Sequence, residues 1–374
     1  MAVLFPAWLA AWVAGCGGEG AAAREDGAAD VARGVAAQEA GDLRGAAAAF
    51  GAAAAACGPN FEARARLAAV NLALGDAKGA GDAAAAAVAL CPESAEARLL
   101  RGQAAYRARD YRKAHADFAA VAGAKELPAA LRSAAWAACG VAEMAEKSYD
   151  AARLSFLRAL RLDRRNAAAW YHQGRLLHEV FRFDEAAAEQ FTMAAGCPDV
   201  PEERAKKIRG EILPALAKAS AAATAKALGA GGRDAAAAAK LVEEGVKLEK
   251  KKMAAAAVKK YEAAFAADRS CEAAAKKVAA LLPQVDKSSG ATDRALEAYR
   301  ALIALRPSRL SNYLEAALLA YQNRRWAVAA QIMDRAVAFH PENDKALGLL
   351  IASLKKAGKA QLKEAWGDYR AELQ

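Results

Sequence analysis

The sequence has few prolines and few aromatic residues, and no stretch alternates β-branched with polar residues as a strand would. Proline occurs 10 times in 374 residues, and Phe, Trp and Tyr together make up 7% of the chain. No Asn-Gly or Asp-Gly pair stands between two apolar runs, so β-hairpins are not indicated. Alanine is abundant almost everywhere, and it is the best helix former. The composition therefore predicts an all-α fold.

The signatures of common catalytic and metal sites are also missing. The histidines have no HExxH spacing, and no CxxC pair provides zinc ligands. The glycines near residue 230 are not followed by the Lys-Ser or Lys-Thr of a phosphate-binding loop, and no GxSxG elbow occurs. We therefore predict that the protein is not an enzyme and that it holds neither a metal nor a cofactor.

The N-terminal segment Met1 to Gly15 contains no charged side chain and is short for a membrane span. It ends in Val13-Ala14-Gly15-Cys16 and is followed by glycines. This pattern resembles the lipobox of bacterial lipoproteins, although Lys and Arg are absent from the start of the segment. The resemblance implies a signal peptide at 1–15, a lipid-modified Cys16 and a flexible tether at 16–26. It also implies a lipid-anchored location on the periplasmic or extracytoplasmic side of a bacterial membrane. The alternative is a buried N-terminal helix.

The other cysteines number five, and three of them share one sequence context. Cys57, Cys91 and Cys197 each come just before a proline or a Gly-Pro pair, where one helix pair would end. We interpret them as small buried apolar residues at repeat junctions. Disulfides or metal binding are the alternatives.

An internal repeat organises most of the chain. Its mark is an alanine that is followed four positions later, in most copies, by an aromatic residue, and in the first copies the mark recurs every 34 residues. The mark occurs at Ala46 with Phe50, Ala80 with Ala84, Ala114 with Phe118, Ala152 with Phe156, Ala186 with Gln190, Ala257 with Tyr261, Ala295 with Tyr299, and Ala329 with Met333. This period predicts stacked helix pairs.

The repeat resembles the tetratricopeptide repeat (TPR). The clearest copy, from Ala167 to Asp199, carries Trp170, Gly174, Leu177, Phe183, Ala186 and Pro198 in sequence. The resemblance implies a TPR-type helical solenoid with about eight repeats, beginning near residues 27, 61, 95, 133, 167, 238, 272 and 310, and a capping helix pair at 344–374. We predict an N-terminal array at 27–200 and a basic C-terminal array at 233–374. Residues 201–232 would form a degenerate repeat with a Gly-rich hinge or, alternatively, one bent helix.

The resemblance also implies a function, because TPR proteins bind other proteins along the concave face formed by their first helices. Partner-binding candidates are Tyr106, Tyr171, Arg175, His178 and Tyr321. The same face would include Glu96, Leu99 and Gln103 of the third repeat and Leu314 and Leu318 of the eighth. Alternatively, the tyrosines only pack between repeats.

Positive charge is concentrated in the second half of the chain. The net charge is +10, and residues 233–374 hold 25 Lys and Arg against 17 Asp and Glu. The densest cluster contains Lys250, Lys251 and Lys252, at the predicted turn of the sixth repeat. A solvated edge is one interpretation, contact with anionic lipid a second, and nucleic-acid binding a third that export would exclude.

Three functions follow from these observations. The first is a membrane-anchored scaffold of the bacterial cell envelope that binds partner segments in the TPR groove. The second is a cytoplasmic or inner-membrane TPR adaptor with an uncleaved N-terminus. The third is an accessory subunit of an envelope enzyme or secretion complex.

Overall fold

The computed structural model describes residues 25–56, 60–229 and 233–374. These residues form an all-α fold of consecutive antiparallel helix pairs, and an isolated β-bridge joins Arg233 and Asp268. Two compact units can be distinguished. Unit 1 comprises Met1–His172 with Cys197–Asp199, and unit 2 comprises Gln173–Gly196 with Val200–Gln374.

Unit 1 contains four helix pairs and the first residues of a further helix. The pairs are α1 (Glu25–Glu39) with α2 (Leu43–Ala56), α3 (Phe61–Leu74) with α4 (Ala77–Leu90), α5 (Ala95–Arg107) with α6 (Tyr111–Gly123), and α7 (Ala129–Ala145) with α8 (Tyr149–Leu162). Helix α9 (Ala167–Leu176) begins in unit 1 and ends in unit 2.

Unit 2 continues with a π-helical segment, Leu177–Phe181, followed by the remaining helices. These are α10 (Asp184–Gly196), α11 (Glu202–Lys207), a second π-helical segment (Ile208–Ile212), α12 (Leu213–Leu228), α13 (Ala235–Lys250), α14 (Ala254–Ala267), α15 (Glu272–Val285), α16 (Ser289–Leu305), α17 (Leu310–Gln322), α18 (Trp326–Phe339), α19 (Asp344–Lys356) and α20 (Ala360–Leu373). The helix pairs begin at or within four residues of the predicted repeat starts, which confirms the TPR-type fold.

The aromatic position of the repeat mark is explained by one recurring contact with a glycine of the preceding helix. In unit 1, Gly102 of α5 lies against the ring of Phe118 in α6, and a Cβ built on Gly102 would stand 2.6 Å from that ring. Gly140 meets Phe156 in the same way, at 2.6 Å. Because each glycine lets the ring approach the first helix, the two backbones pack closely and both rings are buried. The large residue of the mark therefore fills the space within its own helix pair.

The fifth pair keeps this contact with one extra residue. Gly174 faces Phe191, 17 positions later, whereas Gly102 and Phe118 are 16 apart. The π-helical segment between them absorbs the additional residue, because a π turn holds more residues than an α turn. The sequence register assigned the ring position to Gln190, and that assignment is wrong: Phe191 occupies it.

Residues 202–228 are helical throughout. The second π-helical segment lies between α11 and α12, and Pro214 follows it by two residues, where it cannot donate the backbone hydrogen bond that another residue would give in this continuous helix. Gly229 ends the helix at a φ of 73°. The predicted hinge residues 230–232 lie outside the described residues, so the sequence-based domain boundaries stay predictions.

Several second helices follow tight turns with a left-handed residue. This residue is glycine at Gly41, Gly75 and Gly358, and it is basic at Arg109, Lys147, Arg182, Lys252 and Arg324. A non-glycine residue in this conformation is strained by about 1 to 2 kcal/mol. The packing of the helix pairs therefore sets the conformation of the five turns with a basic residue, against the backbone preference of that residue.

Within the described residues, no helix combines the length and apolar character needed to cross a bilayer.

Candidate partner-binding site

The first helices carry the residues that the sequence predicts to bind partners. In the third repeat, Glu96, Gln103 and Tyr106 of α5 are half-buried. Leu99 was expected on the same face, but it is only 1% exposed and belongs to the core between α5, α6 and α7. The expectation for Leu99 is therefore wrong, because its position in the helical turn points it at the neighbouring helices.

Tyr106 has contacts of its own within unit 1. Its ring packs against the same core cluster, and its centroid lies 5.4 Å from that of Tyr111. Nearby on this face, burial raises the pKa of Glu96, while the charge of Arg66 acts in the opposite direction. Arg66 in turn donates to Glu62 at 2.9 Å. The first-helix face of unit 1 is thus polar, with charged groups that pair among themselves.

The boundary between the units falls within the fifth repeat, so Tyr171 belongs to unit 1, and Arg175 and His178 belong to unit 2. In unit 1, Tyr171 is half-buried and meets His172 edge-on, with centroids 5.5 Å apart. In unit 2, Arg175 donates two hydrogen bonds to Glu179, both at 2.9 Å. His178 Nδ1 lies 2.6 Å from Asp184 Oδ1. The polar groups of Arg175 and His178 therefore already have partners inside the protein.

The eighth repeat, in unit 2, presents the most open of the predicted residues. Leu318 of α17 is 48% exposed, and Leu314 and Tyr321 on the same face are half-buried. The spacing of four and three residues places the three side chains in one stripe along the helix. Leu314 and Tyr321 thus extend the exposed apolar surface of Leu318.

Small side chains stand at the positions of α15 and α19 that correspond to Leu318. Counting from each helix start, these positions are Ala280, which is exposed, and Ala352, which is half-buried. Equivalent positions of stacked repeats are neighbours. The repeats on either side of Leu318 therefore carry only small side chains at the equivalent position.

A second polar cluster in unit 2 was not apparent from the sequence. Glu185 of α10 accepts hydrogen bonds from Ser220 at 2.9 Å and from Arg335 of α18 at 2.8 Å. The Arg335 guanidinium also lies over the ring of Phe183, 5.9 Å from its centroid. Because Glu185 and Arg335 are 150 positions apart, no local pattern could reveal this pair. The cluster joins α10 to the eighth repeat and has a structural role.

The remaining side chains of chemical interest are the cysteines and the residue types that can hold a metal ion. Among residues 25–56, 60–229 and 233–374, no group of three or more His, Cys, Asp or Glu residues could hold a metal ion. Cys91 and Cys197 are half-buried rather than buried and are not disulfide-bonded. Burial raises the pKa of the Cys139 thiol, which disfavours the reactive thiolate. Cys16 and Cys57 lie outside the described residues.

Comparisons with known proteins do not identify a family for this chain. No protein-family model and no curated protein matches the sequence. Solved structures that are similar include MamA from Desulfovibrio magneticus RS-1, with 20% identity and a TM-score of 0.42, which covers 48% of this chain and 100% of that one. Pseudomonas aeruginosa PilF has 19% identity and a TM-score of 0.42, over 53% of this chain and 90% of that one. The type IV pilus biogenesis factor PilW has 17% identity and a TM-score of 0.44, over 54% and 93%.

Proposed function

We propose that this protein is a non-enzymatic interaction scaffold that is anchored to a bacterial membrane through lipidated Cys16 and binds partner segments with the first-helix face of its repeats. The observation that carries the binding role is the exposed apolar stripe of Leu314, Leu318 and Tyr321 on α17. A large exposed leucine is unremarkable alone. Here it stands beside an aromatic side chain on the face that TPR proteins use.

The proposed ligand is an extended or helical segment of another protein with at least one large apolar side chain. Such a side chain would pack beside Leu318, over Ala280 and Ala352. Burying an apolar side chain of this size contributes about 1.5 to 3 kcal/mol. Tyr321 would add a flat contact surface and a hydroxyl group at one end of the stripe.

The anchoring part of the proposal rests on Val13-Ala14-Gly15-Cys16, which lies outside the described residues. A lipid anchor on the extracytoplasmic side would hold the repeats close to a membrane, where they could gather envelope proteins. The glycines after Cys16 would give the tether its flexibility. Anchoring and partner binding use different parts of the chain, so they can be tested separately.

The test of the binding role compares two substitutions that each place a carboxylate on an exposed helix position. Leu318→Asp lies on the first-helix face, and Gln331→Asp lies on the second helix of the same repeat. In affinity capture from membranes with quantitative mass spectrometry, Leu318→Asp should lose specific partners by about thirtyfold, as for a hot spot of about 2 kcal/mol. Gln331→Asp should retain them. Equal capture by both variants, with equal melting temperatures, would remove this face as the binding site.

The test of anchoring is the substitution Cys16→Ser. The parent protein should carry an acyl mass on Cys16 at its mature N-terminus and fractionate with membranes. Cys16→Ser should accumulate as an uncleaved, unacylated precursor. A mature protein that begins elsewhere and carries no acyl group would contradict the anchoring proposal and leave partner binding untouched.

A further inference from the structure

The turns between first and second helices in unit 2 form a surface that the proposed groove does not use. We call the turn edge the loops 251–253, 286–288, 323–325 and 357–359, together with the helix ends that flank them. Stacked helix pairs place equivalent turns on one edge. Contacts between the seventh and eighth repeats show this directly, because Arg325 donates to Ser289 Oγ at 2.8 Å and Thr292 lies 3.3 Å from Asn323.

The turn edge carries a row of exposed positive charges. Lys250, Lys251 and Lys252 are exposed at the first of these turns, and none of the described carboxylates forms an ion pair with them. The same holds for Arg324 at the third turn. At the last turn the exposed cations are Lys355, Lys356 and Lys359.

The acidic groups near this edge are already engaged by other cations. Lys277 binds Glu249 at 2.8 Å, and Tyr261 donates to the same carboxylate. Arg294 lies 3.5 Å from Asp286, and Arg325 pairs with Asp293. Glu249, Asp286 and Asp293 are thus paired with cations other than Lys250, Lys251 and Lys252. The positive charge of these three lysines is therefore not cancelled by the acidic groups nearby.

Many cations elsewhere in unit 2 form ion pairs with carboxylates, unlike Lys250, Lys251 and Lys252. The paired cations include Lys260, Arg269, Lys276, Lys277, Arg294, Arg306, Arg309 and Arg370. Other exposed cations of unit 2, such as Lys226, Lys240 and Lys345, also lack a partner among the described carboxylates, but they stand singly, whereas Lys250, Lys251 and Lys252 are consecutive.

Exposed apolar side chains accompany these charges. Met253 is 51% exposed directly after Lys252, and Val285 is 41% exposed at the end of α15, next to the second turn. A bilayer interface accepts both features at once, because lysines meet anionic head groups while apolar side chains enter the boundary with the acyl chains. A purely acidic partner would leave Met253 and Val285 without apolar contacts. A single-stranded nucleic acid would be expected to stack on exposed aromatic residues. The four loops contain no aromatic residue, and Tyr321 and Trp326 at the helix ends beside the third turn are half-buried.

We propose that the turn edge of unit 2 docks on the surface of a bilayer that contains anionic lipid. This contact is independent of acylation at Cys16 and of the stripe on α17. A short acyl anchor combined with a basic patch holds a protein on a membrane much more firmly than either signal alone. The turn edge would also orient the repeats with the turns toward the lipid and leave the first-helix face accessible.

The experiment uses the mature chain, residues 16–374, with Cys16→Ser, so that neither an acyl group nor the apolar segment 1–15 contributes. Co-sedimentation is measured with vesicles of phosphatidylcholine alone and of phosphatidylcholine mixed with phosphatidylglycerol. The protein should bind the mixed vesicles, bind the neutral vesicles far more weakly, and be released by salt as surface charge is screened. Equal binding to both vesicle types, or binding to neither, would overturn the proposal.

A matched pair of triple variants then locates the contact. In the Cys16→Ser background, Lys250→Gln, Lys251→Gln and Lys252→Gln together should weaken binding about a hundredfold, since each cation near the surface contributes roughly fivefold. The control replaces Lys226, Lys240 and Lys345 by Gln, which removes the same charge from exposed positions away from the turns. It should bind mixed vesicles within about twofold of the parent. Equal weakening in the two triple variants would show a general charge effect and overturn the assignment.

Met253→Ser separates a bilayer from a dissolved polyanion. It should weaken vesicle binding severalfold while leaving binding to a polyglutamate peptide or to DNA unchanged. Unchanged vesicle binding in this variant, or tighter binding to polyglutamate or DNA than to vesicles, would reassign the edge to an acidic macromolecule and contradict the proposal. Melting temperatures equal to that of the parent would show that all variants are folded.

Discussion

The third repeat, in unit 1, and the unit 2 part of the fifth repeat form the same contact between a glycine and an aromatic ring with different helix geometries. In the third repeat, Gly102 and Phe118 lie on two regular α-helices, which are further held together by Arg101 and Asp117. In the fifth repeat a π-helical segment intervenes, and the second helix is held by Glu185 and the distant Arg335. The contact between glycine and ring is kept in both. The close packing of the two helices is therefore preserved even where one of them departs from regular α-helical geometry.

The largest expected effect tests the regular repeat. Gly102→Ala would place a methyl group 2.6 Å from the Phe118 ring, so the two helices must separate or the ring must leave its rotamer. We expect a loss of about 3 kcal/mol, which corresponds to a fall in melting temperature of roughly 6 to 12 °C. Gly51→Ala is the control, because nothing stands within 4 Å of its added Cβ and alanine favours the helix. A melting temperature of Gly102→Ala equal to that of the control would mean that the ring contact does not set the packing.

The next effect concerns the polar pair of the third repeat. Asp117 is only 4% exposed and accepts a hydrogen bond from Arg101 at 2.9 Å, with a second, shorter contact to the other oxygen. Asp117→Asn leaves a largely buried guanidinium facing an amide, which should cost about 2 kcal/mol, less than for a fully buried pair because Arg101 is partly exposed. A double-mutant cycle with Arg101→Gln measures the coupling. Additive losses would show that the pair does not stabilise the repeat.

The fifth repeat should respond more weakly than the third to the same glycine substitution. A Cβ on Gly174 would stand 3.1 Å from the Phe191 ring, half an ångström farther than in Gly102. A small ring movement relieves this contact, so we expect Gly174→Ala to cost less than about 1 kcal/mol after the gain in helix propensity. Thermal melting of both alanine variants in parallel gives the comparison. A loss as large as that of Gly102→Ala would show that the π-helical segment does not loosen the contact.

The sequence predicted the helix pairs well and the irregular features poorly. The 34-residue period placed the starts of α3, α5, α9, α15, α17 and α19 at the residues where the structure has them. It could not predict the π-helical segment, because a single inserted residue does not change the composition detectably. The ring position of the fifth repeat was therefore assigned to Gln190 instead of Phe191. Nor could it predict that Leu99 is buried or that Glu185 pairs with Arg335, because both depend on which helices pack together. The turn edge was visible only in part: the lysine cluster stood out, but the exposure of Met253 and Val285 required the structure.

The smallest effect is a pH dependence in the third repeat. His115 Nε2 of α6 lies 3.1 Å from Glu143 Oε1 of α7, and this hydrogen bond raises the pKa of His115, with a smaller contribution from the charge of Glu146 and an opposing one from burial. A raised folded-state pKa means that the charged pair stabilises the protein fully below the unfolded pKa of about 6.5. The contribution is lost as the pH rises through the folded-state pKa. Since the imidazole is partly exposed, we expect less than about 1 kcal/mol.

Comparing the parent with His115→Gln isolates this contribution from all other titrations. The difference between their melting temperatures should favour the parent near pH 6 and shrink toward about pH 8.5, where the imidazole is neutral. Glu143→Gln should abolish the same pH dependence, because the neutral amide no longer stabilises the imidazolium. Parallel melting profiles of the parent and His115→Gln across this range would show that the contact between α6 and α7 does not depend on the charge of His115. The link between the third and fourth repeats would then rest on apolar packing, in which the buried side chains of Val121 and Leu131 belong to one cluster.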